Sequence, residues 1–284
     1  MLIPTTTAAT LGSQRGKSIS AWLAQFYQFM SIHLWGNLPS PLQRRISKVY
    51  STLYHQALSR YFIKPYCRLH YRDPDYLDQF VPPEGKSSYE NFQDFFTRHF
   101  KSVPAAKGEW VWPCEGLLCH FGRVGEIPVS SVKGDRRTVE TIFGVDEETI
   151  PAHYQFANVF LHNKNYHRIH APVSGRITRI QHIPGDLVVL RPWIYRQNPS
   201  VPAFRNERIN MDLEDKDGNT WFLSIIGGPA VGTIELPEKI KIGAEVGILD
   251  ELAVFYLGST CCIASPAASG SHREDQLIWL GEAY

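Results

Sequence analysis

The chain of 284 residues carries no acidic side chain before Asp73. Nine Lys and Arg stand in those first 72 residues, whereas the remaining 212 hold 20 basic and 28 acidic side chains. The net charge of +1 thus conceals a basic N-terminal quarter, whose natural partner is an anionic surface. No uninterrupted apolar run reaches the about 18 residues that a membrane span needs. Cysteine is sparse: Cys67, Cys114, Cys119, Cys261 and Cys262 show no CxxC spacing. This argues against a disulfide framework or a cysteine-rich zinc module, and for a reducing compartment with buried thiols. Internal repeats, low-complexity tracts, P-loops and dinucleotide fingerprints are also missing. With 43% apolar residues the chain can still bury a sizeable core.

Between the basic residues, Ile19, Trp22, Leu23, Phe26, Phe29 and Met30 fall near helical spacing, with Ser18 or Ser20 to open the helix and Gly36-Asn37 to stop it. Ser40-Pro41-Leu42-Gln43 reads as a capping box that starts a second helix through Leu42, Ile46, Val49, Leu53 and Leu58, with Arg44, Arg45 and Lys48 along it. Basic residues interleaved with apolar ones favour a membrane face over nucleic acid. A helical pair packed on the main domain and a cleaved targeting segment are the alternatives.

"DPDYLDQFVPPEGKSS" reads as a linker, and Ser87-x-x-Glu90 as a capping box opening a short helix with Phe92, Phe95, Phe96 and His99 on one face. From Trp110 onward, short β-favouring runs alternate with Gly and Pro turns, and Asp217-Gly218 is a hairpin signal. The expected fold class is α+β: a mainly β core with N-terminal amphipathic helices. The expected organisation is a basic helical segment over 1–72 and a catalytic or binding domain over 73–284.

The densest reactive cluster is "LHNKNYHRIHAPVSGRI", with His162, His167 and His170. It reads either as a strand end with surface histidines or as acid/base or ligand groups. An extended chain would point His167 and His170 to opposite faces, and a turn could bring them together. A zinc site needs a fourth group and an open position that the sequence does not nominate, so no metal is assigned. Glu115 in "WPCEGLL" is by itself a turn acid, "FRNERI" a charge cluster of the usual solvated kind, and "IIGGPAVGTI" a place for close backbone approach. "YLGST" ends an apolar run, Leu252 to Leu257, close to the C-terminus.

Taken in order, "FQDFFTRHFK", "PCEG", "NYHRIHAPVSGRI", the "FRNERI" segment, "GGPAVGTIE" and "LGST" resemble the phosphatidylserine decarboxylase family over roughly residues 90 to 265. That resemblance implies a proenzyme that cuts itself at Gly258-Ser259 into a β chain ending at 258 and an α chain of 259–284. Ser259 attacks the Gly258 carbonyl, and the resulting ester eliminates to dehydroalanine, which hydrolyses to a pyruvoyl group and ammonia. This covalent pyruvoyl, derived from Ser259, is the implied cofactor. It would form a Schiff base with phosphatidylserine and take up the electrons left by CO2, yielding phosphatidylethanolamine. The resemblance assigns His170 as the base for cleavage, oriented by Glu115, in the manner of a protease triad. It assigns His167 as the proton donor of turnover, a task suited to a pKa near neutrality. Glu115 stands where the family usually has Asp, one methylene shorter. "CCIASP" is less apolar than the usual continuation and predicts a shortened strand.

The implied partners are phosphatidylserine, an anionic membrane surface and the two chains of one precursor, with a homodimer compatible and nucleic acid not expected. The implied location is peripheral: the cytoplasmic face of the cell membrane in a bacterium, the mitochondrial inner membrane in a eukaryote. "APVSGRI", "PGDLV" and "KIGAEVG" echo lipoyl and biotinyl carrier domains and predict a barrel-sandwich hybrid. The rival functions are a catalytically inactive membrane-binding homologue and a histidine-metal hydrolase.

Overall fold

Alternation along single strands builds the core. In residues 220–227, "TWFLSIIG", Trp221, Leu223 and Ile225 pack into one buried cluster, while Phe222 and Ile226 pack into a second on the opposite face. A sheet covered on both sides is therefore required, and the computed structural model shows it. It describes residues 25–284 apart from 27–28, 36–37, 39, 72, 133, 196–197, 229–233, 257, 267 and 269–271.

In chain order the first strands are β1 (Phe80–Val81), β2 (His99–Phe100), β3 (Gly116–Arg123), β4 (Ser130–Val132), β5 (Asp135–Arg137), β6 (Gln155–Leu161) and β7 (Arg168–His170). They are followed by β8 (Gly175–Ile183), β9 (Arg208–Asp215), β10 (Thr220–Gly227), β11 (Ile234–Glu235), β12 (Glu245–Val246), β13 (Glu251–Phe255), β14 (Ser259–Ser265) and β15 (Leu277–Ile278). Eight of them form one sheet in the order β12-β8-β9-β10-β14-β6-β3-β15, with every neighbouring pair antiparallel. Among the described residues no pairing joins β12 to β15, so the sheet does not close on itself. A small sheet, β11-β13-β7, is separate from it. The hairpin at Gly218, with φ +80°, joins β9 to β10 as its sequence predicts.

β14 lies between β10 and β6, and all seven of its residues are buried. The expected shortening is overturned: Cys261 joins one core cluster and Cys262 the other, so the two thiols serve as small apolar side chains. The helices Val139–Phe143 and Val201–Arg205 cover the second face through Val139, Ile142, Phe143, Ala203 and Phe204.

The N-terminal helices obey the opposite logic. The helix Ser40–His55 forms where its spacing predicts, yet Leu42, Ile46, Val49 and Leu53 are 44%, 43%, 66% and 59% exposed. Gln43 donates to Trp35 O instead of completing a capping box. A second helix, Ile63–His70, follows a 3-10 turn at Ala57–Phe62. Phe26, Phe29 and Met30 of the first predicted helix are exposed, whereas Ile19, Trp22, Leu23 and the caps Ser18, Ser20 and Gly36-Asn37 lie outside the described residues. The short helix Phe92–Phe96 is capped by Asn91, not Ser87, because Asn91 is extended and its side-chain oxygen reaches Asp94 N at 2.9 Å. The segment read as a linker is no spacer: Asp73 caps the turn Pro74–Leu77, which brings Tyr76 onto Glu115.

Candidate active site

Two of the chain's crossings between these two sheets lie side by side. One runs from β6 to β7 through residues 162–167, the other from β13 to β14 through 256–258. Ser259 pairs with Leu161 at one end, and Phe255 N donates to His167 O at 2.9 Å at the other. The histidine cluster and the "LGST" segment therefore form one antiparallel ribbon. Gln93, carried on the helix below, donates to Tyr256 O at 2.8 Å and holds the second crossing.

Gly258 sits at φ +50°, a left-handed conformation that glycine adopts without Cβ strain. Gly228 lies so close that a Cβ there would fall 2.8 Å from Gly258 O and 3.1 Å from Gly258 C. The second glycine of the "GGPAVGT" motif, Gly228, is thus needed for backbone approach to the Gly258 carbonyl, while residues 229–233 lie outside the described ones, as does Leu257. Ser259 is fully buried, and its Oγ has no hydrogen-bond partner among the described residues. A hydroxyl buried without a partner costs about 1–3 kcal/mol, a cost retained here next to the Gly258 carbonyl.

Both histidines of "YHRIH" are buried and held in one tautomer. A backbone carbonyl only accepts, so His167 Nδ1–H donates to Asn165 O at 2.8 Å and His170 Nδ1–H donates to Leu249 O at 2.7 Å. Each Nε2 then carries a lone pair. On His170 it accepts from Tyr166 Oη–H at 3.1 Å; on His167 it has no partner among the described residues. Burial lowers the His170 pKa to about 4. Burial, reinforced by the Arg98 cation, holds that of His167 well below its ordinary value. The near-neutral pKa expected of His167 is therefore absent in the uncut chain.

Glu115 is buried, but its carboxylate does not touch His170. Oε1 accepts from Tyr166 N at 2.7 Å, from Asn165 Nδ2 at 3.2 Å and from the Tyr76 hydroxyl. The direct Glu115–His170 contact implied by the resemblance is replaced by a path through Tyr166, whose N–H meets Glu115 and whose hydroxyl meets His170. The physical reason is that His170 spends both ring nitrogens on other partners.

Several residues of this site were given no role in the sequence. Tyr76 stood in an apparent linker, and Arg98, fully buried, donates to Lys164 O and Asn165 O at 2.8 and 2.9 Å. "FRNERI", read as solvated, is largely buried. Asn206 bonds Val188 N and O and donates to Gly227 O, the residue opposite Ser259, and Arg208 donates to Ile142 O at 2.7 Å. His162 opens the first crossing with its ring 6.3 Å from His70 and 6.5 Å from Trp193.

Among the described residues no group of three or more His, Cys, Asp or Glu is placed to hold a metal ion. The site fits a group made from the chain itself. Ser259 opens the central strand, so a new end created there stays between β10 and β6. A family model described as phosphatidylserine decarboxylase matches residues 92–283. The chain is 37% identical over 225 residues to the phosphatidylserine decarboxylase proenzyme of Polaromonas naphthalenivorans, covering 69% of this chain and 77% of that protein. It is 29% identical over 288 residues to the proenzyme of Methylibium petroleiphilum, covering 92% of each. The matched span holds both crossings, Glu115, the histidine pair and Ser259, and the chain belongs to the phosphatidylserine decarboxylase family.

Proposed function

We propose that this chain is a self-cleaving proenzyme that converts phosphatidylserine to phosphatidylethanolamine and CO2 with a pyruvoyl group made from Ser259. The observation that carries this reading is the Gly258–Ser259 crossing: a left-handed glycine, a carbonyl packed on Gly228, and a buried, unpartnered hydroxyl. Ser259 Oγ attacks the Gly258 carbonyl as an imidazole takes its proton, since a hydroxyl at its ordinary pKa is a poor nucleophile. The chemistry that the pyruvoyl group supplies is an electron sink for decarboxylation. The test is intact mass. Two chains, the smaller running from 259 to 284 with pyruvoyl at its head, support the reading; a single chain with free Ser259 overturns it. Ser259→Ala is expected to stay whole.

In the role assignment that follows the family motif, His170 is the base of cleavage and His167 the proton donor of turnover. Glu115 then steadies His170 through Tyr166, and the Tyr166 hydroxyl must leave Nε2 before that nitrogen accepts a proton. One observation favours the reverse assignment for cleavage. His167 Nε2 is the ring nitrogen without a partner, and His167 lies opposite Phe255 whereas His170 lies opposite Glu251, farther from Ser259 along the ribbon. The paired alanine variants separate the two.

We further propose that the basic segment 1–72 rests peripherally on an anionic membrane, and that 73–284 is the catalytic domain. No described helix is long and apolar enough to cross a membrane. Support for docking comes from the outward face Leu42, Ile46, Val49 and Leu53, with Arg45 and Lys48 beside it. Each basic residue near such a surface contributes about 1 kcal/mol, screened by salt, while the apolar contacts persist. A carrier-like hybrid within the β core is supported by β8, in "APVSGRI", pairing with β12, in "KIGAEVG", through Arg176 and Glu245.

A further inference from the structure

Arg98 is among the largest fully buried side chains of the protein, and the cleavage and decarboxylation chemistry makes no direct use of it. Its guanidinium lies 4.5 Å from the Phe80 ring centroid and 5.0 Å from that of Phe95, with Nη1 donating to Phe95 O at 3.1 Å. Nη2 grips two successive carbonyls of the first crossing, Lys164 O at 2.8 Å and Asn165 O at 2.9 Å. The Tyr71 hydroxyl donates to the same Lys164 O at 2.6 Å. Asn165 O is also the acceptor of His167 Nδ1–H. One carbonyl oxygen therefore joins Arg98 to the histidine, using both of its lone pairs.

We propose that Arg98 is a positioning residue for His167: by fixing Asn165 O it holds the ring as the Nδ1–H tautomer with Nε2 free, and it sets a fixed cation behind the same carbonyl. The inference rests on the reading that His167 acts on the Gly258–Ser259 site, in either role. The geometry explains the choice of residue. A lysine has no planar fork with which to hold Phe95 O through one nitrogen and the two crossing carbonyls through another, and a neutral side chain brings no charge. The Phe96 ring, 3.8 Å away by centroid, covers the imidazole and excludes the water that would stabilise a second cation. Other titratable groups around His167 work with or are bound away from it. His162 is itself depressed to about 4 by burial, Glu115 is occupied by Tyr76, Asn165 and Tyr166, and Arg168 pairs with Glu251.

The first test follows the His167 ring nitrogens by 15N NMR against pH in the Ser259→Ala precursor, which cannot cut. The expected result is an Nδ1–H tautomer at pH 7 that gains a proton only well below 6.5. Arg98→Gln is expected to raise that pKa, because the like charge is removed. Arg98→Lys keeps the charge, leaving the pKa low while the tautomer becomes mixed. In cleavable chains, Arg98→Gln should move the pH limb that belongs to His167 to higher pH, and Arg98→Lys should slow the rate without moving the limb. A uniform loss of rate at every pH in Arg98→Gln, with the His167 titration unmoved, would reduce Arg98 to packing. If Arg98→Gln does not fold, Arg98→Lys decides: wild-type cleavage with an unchanged tautomer rejects the grip. His167 titrating at or above 6.5 in the precursor rejects the proposal outright. Normal cleavage and turnover by His167→Ala would instead reject the role of His167, and leave the NMR comparison of the Arg98 variants standing.

Discussion

The N-terminal helices and the central sheet invert each other. On the helix Ser40–His55, Leu42, Ile46, Val49 and Leu53 face outward, whereas Glu115, His167, His170, Asn206 and Ser259 are buried at the heart of the β domain. Both placements cost stability. Exposed aliphatic side chains forgo about 1.5–3 kcal/mol each of burial, and buried polar groups survive only with partners. The lesson lies in what compensates each cost. Inside, a nearly complete set of hydrogen bonds satisfies Glu115 and His170, and the buried atoms left without a partner among the described residues include Ser259 Oγ and His167 Nε2, on which cleavage chemistry draws. Outside, none of the described residues covers the helix face, and a bilayer surface is the compensation we propose.

The comparison is broken most severely at the histidines. One of the two alanine variants, His170→Ala or His167→Ala, should arrest the precursor as a single chain; the other should cut and still head its small chain with pyruvoyl, yet release little CO2. A gel time course beside CO2 release from phosphatidylserine reads both. Normal cutting and turnover in both variants would remove the histidine cluster from the active site.

Gly228→Ala comes next. Its Cβ would press within 2.8 Å of Gly258 O, so the strand must shift, at about 1–3 kcal/mol as for other overpacked sites. Cleavage should slow by tenfold or more, about 1.4 kcal/mol on the barrier. Wild-type cleavage kinetics in this variant would show that the approach is not needed for attack.

On the outer side, Leu42→Ser with Val49→Ser should weaken co-sedimentation with anionic vesicles by about tenfold, while thermal stability moves by less than about 0.5 kcal/mol. High salt should weaken the remaining binding. Unchanged binding in the double variant would return this helix face to some other role.

A pH dependence of the Ser259→Ala precursor tests the buried side without any cleavage. Unfolded histidine binds protons near pH 6.5, whereas folded His170 does so only at about 4. Between those values the unfolded state holds more protons, so stability falls as pH is lowered through this window. His162, also depressed to about 4, adds to the trend. A denaturation midpoint flat from pH 6.5 to 4 would mean that these rings are solvated.

Much of this was legible along the chain. Period-two alternation announced β10, the Asp217-Gly218 pair announced its hairpin, and helical spacing announced the helix at Ser40–His55, because local periodicity depends on near neighbours alone. "LGST" and "YHRIH" were recognisable as chemistry. The Glu115 contact was misjudged, since a motif names a carboxylate but not the donor it meets. Tyr76, Asn91 and Arg98 were passed over because their partners lie on other elements or in a cap geometry that spacing alone does not reveal.

By itself the sequence determined the strand and helix periods, the charge asymmetry, and the residue types for cleavage: a glycine free to turn left-handed, a serine after it, two histidines and an acid. Only the tertiary structure decided which of these meet. Two crossings separated by more than 80 residues are brought side by side by the pairing of β6 with β14 and of β7 with β13. That pairing, set by burial of two sheet faces at once, leaves Ser259 Oγ and His167 Nε2 unpartnered and turns Glu115 toward Tyr166. Register is a long-range property, fixed by packing between distant segments, and no local pattern encodes it.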